Sequence, residues 1–228
     1  MEQLRPNKPR ALIAIAFIWI SLAVELVNFY YDYCKYTLLQ RVDRGELSIT
    51  DVQAYEQDQQ AYLFIHLLVL ILSAVTFIQW FRRAYYNLHK TGISLSYSEG
   101  WAAGAWFVPI LSLFRPYQIM KELYEGTETM LYVRNNDHIR QTSNRYINTW
   151  WTLWILVGVI GQFTPRYAAV TDSIDGLLIC GLLDLLNSSL AIILCPLTVK
   201  VIYDYSKLET MLSRATGNNL TEINSSLN

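Results

Sequence analysis

The chain has 228 residues, of which 53% are hydrophobic, 14% aromatic and only 16% charged, whereas soluble domains carry about a quarter charged residues. Eighteen basic residues stand against 19 acidic ones, a formal charge of −1, so bulk charge gives no reason to expect nucleic-acid binding. Three Cys and three His are too few for a disulfide framework or a zinc cluster, and neither metal nor cofactor is expected. The length suits one domain, expected over 1–214, with a polar, disordered tail at 215–228.

The first apolar run covers 11–30 and follows Arg5, Lys8 and Arg10. It is too long for a signal peptide and no small-residue cleavage site closes it, so it reads as a retained signal anchor. Residues 31–60 read as a short extramembrane helical hairpin turning at Arg44-Gly45, with Thr50 and Gln53 at capping-box spacing. Val52, Tyr55, Gln59 and Tyr62 share one face, opposite Tyr36, Leu39 and Val42. Its acidic residues, Asp32, Asp43, Glu46, Asp51, Glu56 and Asp58, read as a solvated face.

Three more apolar runs follow at 61–81, 147–163 and 176–199. Each approaches the roughly 20 residues needed to cross a bilayer core and lacks strand-like alternation. With the N-terminus inside, only Lys35, Arg41, Arg44 and Arg166 lie outside, and the other 14 of the 18 basic residues lie inside. That asymmetry predicts a multi-pass protein of the cell's inner membrane with both termini cytoplasmic. Trp80, Trp150 and Trp151 are expected at the inner interface, where amphipathic rings are favoured.

The stretch 100–115 is apolar but short and is broken by Pro109. Fifteen helical residues rise about 22 Å, less than the roughly 30 Å hydrocarbon core. A re-entrant or interfacial segment is expected, with Gly100 and Gly104 as a G-x-x-x-G pair admitting a neighbouring helix. Residues 116–133 then read as a cytoplasmic amphipathic helix, opened by Pro116, with Met120, Leu123, Tyr124, Thr127 and Leu131 on one face. Together these elements predict an all-α polytopic membrane protein with four transmembrane helices and one re-entrant or interfacial cytoplasmic segment.

Three clusters carry a resemblance. The run Gln79-Trp80-Phe81-Arg82-Arg83-Ala84-Tyr85-Tyr86-Asn87-Leu88, the pieces Gly100-Trp101-Ala102 and Trp106-Phe107-Val108-Pro109-Ile110, and Arg115-Pro116-Tyr117-Gln118 resemble a bacterial family of small membrane proteins, the domain of unknown function 4328. The resemblance covers about residues 61–205. It implies a four-span membrane protein and no particular reaction, and it directs attention to the inner face.

Ionisable groups inside a span are costly and are functional candidates for that reason. Glu25 and His66 each lie about five residues, or roughly 8 Å, from the outer end of their runs, and Asp184 about eight residues, roughly 12 Å, from the start of its own. Converged, the three form a candidate ion or proton site, with Asn187, Ser188 and Ser189 extending a polar path; the alternative is that they hydrogen-bond helices together. A second candidate, for lipid or partner binding at the inner face, comprises Arg82, Arg83, Trp101, Trp106 and Arg115; the alternative is ordinary interfacial anchoring. No nucleophile elbow, zinc-protease motif, phosphate loop or paired-Cys motif is present in the sequence, so no enzyme activity and no catalytic residue are expected. Cys34, outside and unpaired, is either a lone thiol or an intermolecular partner. Two functions follow: an ion- or proton-conducting module working as a homo-oligomer, or a non-transporting scaffold that binds membrane lipid or a protein partner at its cytoplasmic face.

Overall fold

The computed structural model describes residues 4–135, 144–171 and 173–226. Arg140, in the expected inner loop, and the last two residues of the expected tail lie outside that set. Among the described residues there is no strand. The helices are α1 (Lys8–Asp43), α2 (Ile49–Asp58), α3 (Gln60–His89), α4 (Trp101–Gly104), α5 (Arg115–Asn135), α6 (Asn144–Ala168) and α7 (Ile174–Ser226). Between α4 and α5 run two 3₁₀ turns, Ala105–Phe107 and Leu111–Leu113. The chain divides into two compact units, one drawn from 1–16, 74–148 and 199–228, the other from 17–73 and 149–198.

Among the described residues three helices are long and apolar enough to cross a membrane: α1, α3 and α7. Only 11%, 11% and 22% of their most apolar windows are buried, so long rows of Leu, Ile, Val and Phe side chains face outward. Water would not tolerate such a surface, but hydrocarbon does. The protein is therefore a membrane protein.

In the first unit the core is aromatic. The amphipathic pattern of α5 buries Met120, Leu123, Tyr124, Thr127 and Leu131 at helical spacing. Tyr124 donates to the Val201 carbonyl at 2.6 Å, and its ring meets Tyr205 edge-on at 5.4 Å. Burial pushes the Tyr124 hydroxyl well above the usual phenol range, with Tyr146 adding to the effect. Trp80 also meets Tyr205 edge-on, at 6.0 Å. Gly92, at φ +85, takes the left-handed conformation just past the end of α3.

Several expectations change here. Trp80 and Trp150 are fully buried in protein and do not ride at an interface; Trp150 Nε1 donates to Thr198 Oγ1 at 3.0 Å. Gly100 and Gly104 have open space around them, because the backbone there breaks into turns and presents no continuous helix face. The close approach falls instead at Gly126, where a Cβ would stand 3.0 Å from Leu88 of α3. The disordered tail expected from residue 215 is helix up to Ser226. Ala215 and Thr216 are buried, and the Thr216 hydroxyl donates to the Leu212 carbonyl, so burial at its first two residues outweighs polar composition there.

The first unit also fastens the start of the chain. Glu209 of α7 is buried and accepts from Asn7 Nδ2 at 3.0 Å and from Asn87 Nδ2 at 2.7 Å. Asn87 in turn pairs with the Arg5 backbone through both its amide groups, at 2.9 and 3.1 Å. A buried carboxylate is tolerated only when it is hydrogen-bonded, and the two amides supply those bonds.

In the second unit α1 ends in a Schellman arrangement. Glu46 N–H donates to the Arg41 carbonyl, Gly45 N–H to the Val42 carbonyl, and Gly45 sits at φ +73. The capping box that opens α2 is Ser48 with Asp51, not Thr50 with Gln53: Ser48 is the last extended residue, and Asp51 Oδ2 accepts from its N–H at 2.9 Å and its hydroxyl at 3.1 Å. Leu39 and Val52 are buried as the hairpin requires, and Gly181 of α7 comes within a methyl's reach of Tyr36.

The Glu209 cluster makes a direct prediction. Glu209→Leu strands two buried amide donors and should cost about 3 kcal/mol. Glu209→Gln keeps an acceptor for both and turns its own amide toward the unpartnered Asn7 Oδ1, so it should cost under about 1 kcal/mol. Thermal unfolding of both variants in detergent measures the difference.

Candidate functional site

In α1 the least exposed face of the second unit is a polar stripe. Ser21, Glu25, Asn28, Asp32 and Lys35 follow one another at spacings of four, three, four and three residues, the repeat that keeps side chains on one seam of a helix. Fourteen residues of helix carry the stripe through about 21 Å. Every member has a partner. The Ser21 and Ser73 hydroxyls lie 2.6 Å apart, and Ser73 donates to the Phe17 carbonyl. His66 Nε2 lies 2.8 Å from Glu25 Oε1. Asn28 Nδ2 donates to Asp32 Oδ2 and to Ser188 Oγ, both at 3.0 Å, and Ser188 Oγ also donates to Asp32 Oδ2. Lys35 Nζ bridges Glu56 Oε1 at 2.7 Å and Asp184 Oδ2 at 3.7 Å.

Helix α3 supplies His66 and Ser73, α7 supplies Asp184 and Ser188, and α2 supplies Glu56. Around the imidazole, Tyr62 stacks on His66 with centroids 6.1 Å apart and donates its hydroxyl to the Val24 carbonyl at 2.6 Å. Beyond the apolar runs, burial raises the Tyr55 hydroxyl above the ordinary phenol range, with Cys34 beside it contributing. Below Ser21 the stripe ends at Ile18, which is buried and apolar.

Sequence reasoning brings Glu25 and His66 together, and the structure does so as well. Asp184 does not join them. It pairs with Lys35, ten residues from Glu25 along α1, or about 15 Å. A depth counted from residue 176 sets Asp184 beside Glu25, but its salt-bridge partner lies five residues beyond the end of the first apolar run, so Asp184 belongs to the Lys35 end of the stripe. Ser188 turns to Asp32 and Ser189 back to the Leu185 carbonyl, so no Ser–His–Asp arrangement assembles.

The residues expected at the inner face, Arg82, Arg83, Trp101, Trp106 and Arg115, engage different neighbours. Arg115 lies over the Tyr97 ring at 4.3 Å and over Trp101 at 5.4 Å. Trp106 points instead at α3, edge-on to Phe77 and Phe81. Arg82 reaches Glu99 at 3.7 Å, and Arg83 shares the Tyr86 ring with Arg5.

The residues that sequence reasoning missed are Ser21, Asn28, Asp32, Lys35 and Ser73. Asp32 and Glu56, expected on a solvated face, are engaged in the stripe and its lysine bridge. The four–three spacing of polar residues within and just beyond an apolar run was the available signal.

An all-α membrane protein with a polar seam along its first long helix is the class that these features define. The chain belongs to the family described as Domain of unknown function (DUF4328), whose model matches residues 44–207. The match includes His66, Ser73, Asp184 and Ser188, while their α1 partners precede it. No curated protein and no solved structure matches the chain.

The geometry predicts two different couplings. A double-mutant cycle on Glu25→Gln and His66→Ala, read by thermal unfolding in detergent, should give a coupling of about 1 kcal/mol. The cycle on Glu25→Gln and Asp184→Asn should stay within about 0.5 kcal/mol of additivity, because the groups are too far apart to interact directly.

Proposed function

We propose that the protein is a small proton-conducting membrane module that works as a homo-oligomer, and that the Glu25–His66 pair is its proton-exchange site. The observation that carries this reading is the 2.8 Å contact between imidazole and carboxylate within an unbroken polar stripe on an otherwise apolar helix. A carboxylate facing an imidazole takes up a proton on one group and shares it with the other, and the second ring nitrogen can pass it on. Asp32, Asp184, Lys35 and Glu56 form the polar approach from the outer end. The stripe stops at Ile18, so a single chain offers a half-path, and completing it requires water or another copy of the chain. No covalent chemistry is part of this reading; the protein acts as a carrier of charge and not as an enzyme.

The membrane arrangement belongs to the same proposal. Helix α6 is the fourth span, with Leu156, Val159 and Phe163 exposed to lipid. Both termini are cytoplasmic, a reading that the basic-residue asymmetry supports, and the membrane is the cell's inner one. Residues 100–115 lie at the inner interface: Phe107 and Ile110 are 76% and 73% exposed, while Trp106 anchors the segment to Phe77 and Phe81 near the inner end of the second apolar run. A partner-binding face built on Arg82, Arg83, Trp101, Trp106 and Arg115 has less support, because these residues engage different neighbours.

Proton flux in liposomes under a pH gradient tests the reading. Wild type should conduct. Glu25→Gln and His66→Asn should each lower the rate by about a hundredfold, and Asp184→Asn should lower it less. A folded wild type that carries no protons would sink the proposal and leave the stripe as a set of bonds between helices.

A further inference from the structure

In the first unit a groove of about 350 Å³ opens between the start of α1 and the later turns of α7. Three cations line it, Lys8, Lys207 and Arg214, and no carboxylate does. All three are exposed, and among the described residues none of them is in an ion pair. Lys207 rests its ammonium 4.2 Å above the Tyr203 ring, a contact that holds the side chain at the groove without neutralising it. The floor is of opposite character. Leu12 and Met211 line it and are 57% and 49% exposed, and Leu12 belongs to the apolar run that begins at residue 11.

A concentration of unpaired positive charge attracts an anion, but a free anion has no use for exposed Leu and Met side chains. An acyl chain alone has no use for three cations. Their juxtaposition at the point where an apolar run begins fits a molecule with both parts. We propose that this groove binds an anionic phospholipid, its phosphate headgroup among Lys8, Lys207 and Arg214 and its acyl chain along Leu12 and Met211. Basic pockets between membrane helices recognise headgroups in this way. The proposal stands apart from proton conduction and does not depend on it.

The test is native mass spectrometry of the full-length protein in detergent, titrated with phosphatidylglycerol or phosphatidylcholine. The groove predicts retention of phosphatidylglycerol in preference to phosphatidylcholine. Each Lys or Arg removed should weaken it about fivefold, so the triple variant Lys8→Gln, Lys207→Gln, Arg214→Gln should lose about a hundredfold. Lys121→Gln, at a residue paired with Glu125 on α5, should bind as wild type does. Since all three groove cations are exposed, the variant should remain folded, which thermal unfolding checks; single variants replace it if it does not. Equal retention of the two lipids, no loss in the variants, or displacement by glycerophosphoglycerol as effective as by the intact lipid would each overturn the proposal, the last by showing that a soluble anion suffices.

Discussion

Polar side chains on the buried face of a helix in hydrocarbon cannot turn to water, so each must be met by another side chain or by a backbone carbonyl. Helix α1 carries five half-buried polar residues on one seam, from Ser21 within the apolar run to Lys35 just beyond it, and much of the second unit can be understood as the supply of their partners. Ser73, His66, Ser188, Asp184 and Glu56 come from three other helices. A pair of this kind is worth only about 1 kcal/mol in a membrane, but an unmet polar group costs more than a met one gains. The stripe therefore fixes rotation and axial register: turning or sliding α1 would strand several groups together. Structural bonding and the proposed proton exchange would use the same atoms, so flux and stability must be measured side by side to distinguish them.

The first unit meets the same demand with other chemistry. Its tyrosines bury their rings for packing and spend their hydroxyls on carbonyls and side chains, as Tyr124 does with Val201 and Tyr85 with the Tyr97 carbonyl and Glu122. Glu209 is held by neutral amides from Asn7 and Asn87, which joins the segment before α1 to α3 and α7. Polar residues in this unit are thus part of the core, whereas the cations Lys8, Lys207 and Arg214 face outward.

Much of this was legible in the chain. The apolar runs, the Arg44-Gly45 turn and the buried face of α5 all follow from hydropathy, periodicity and backbone chemistry, which are local. The Glu25–His66 pair was within reach because both residues sit the same number of turns from the same side of the membrane. Asp184 was misplaced because α7 is 53 residues long, and where its apolar composition begins is no measure of depth. Asp32 and Lys35 were passed over because they stand beyond the apolar run, where charge is ordinarily solvated.

By itself, then, the sequence determined the helices, the solvent most of their surface must meet, and which residues were candidates for chemistry, since composition and period are properties of a single segment. Only the tertiary structure decided which candidates meet. That depends on the rotation of each helix about its axis and its offset along its neighbours, and these are set by several pairings made at once. Glu25 thereby acquired His66, Asp184 acquired Lys35, and Gly126 and Gly181 rather than Gly100 or Gly104 became points of close helix approach.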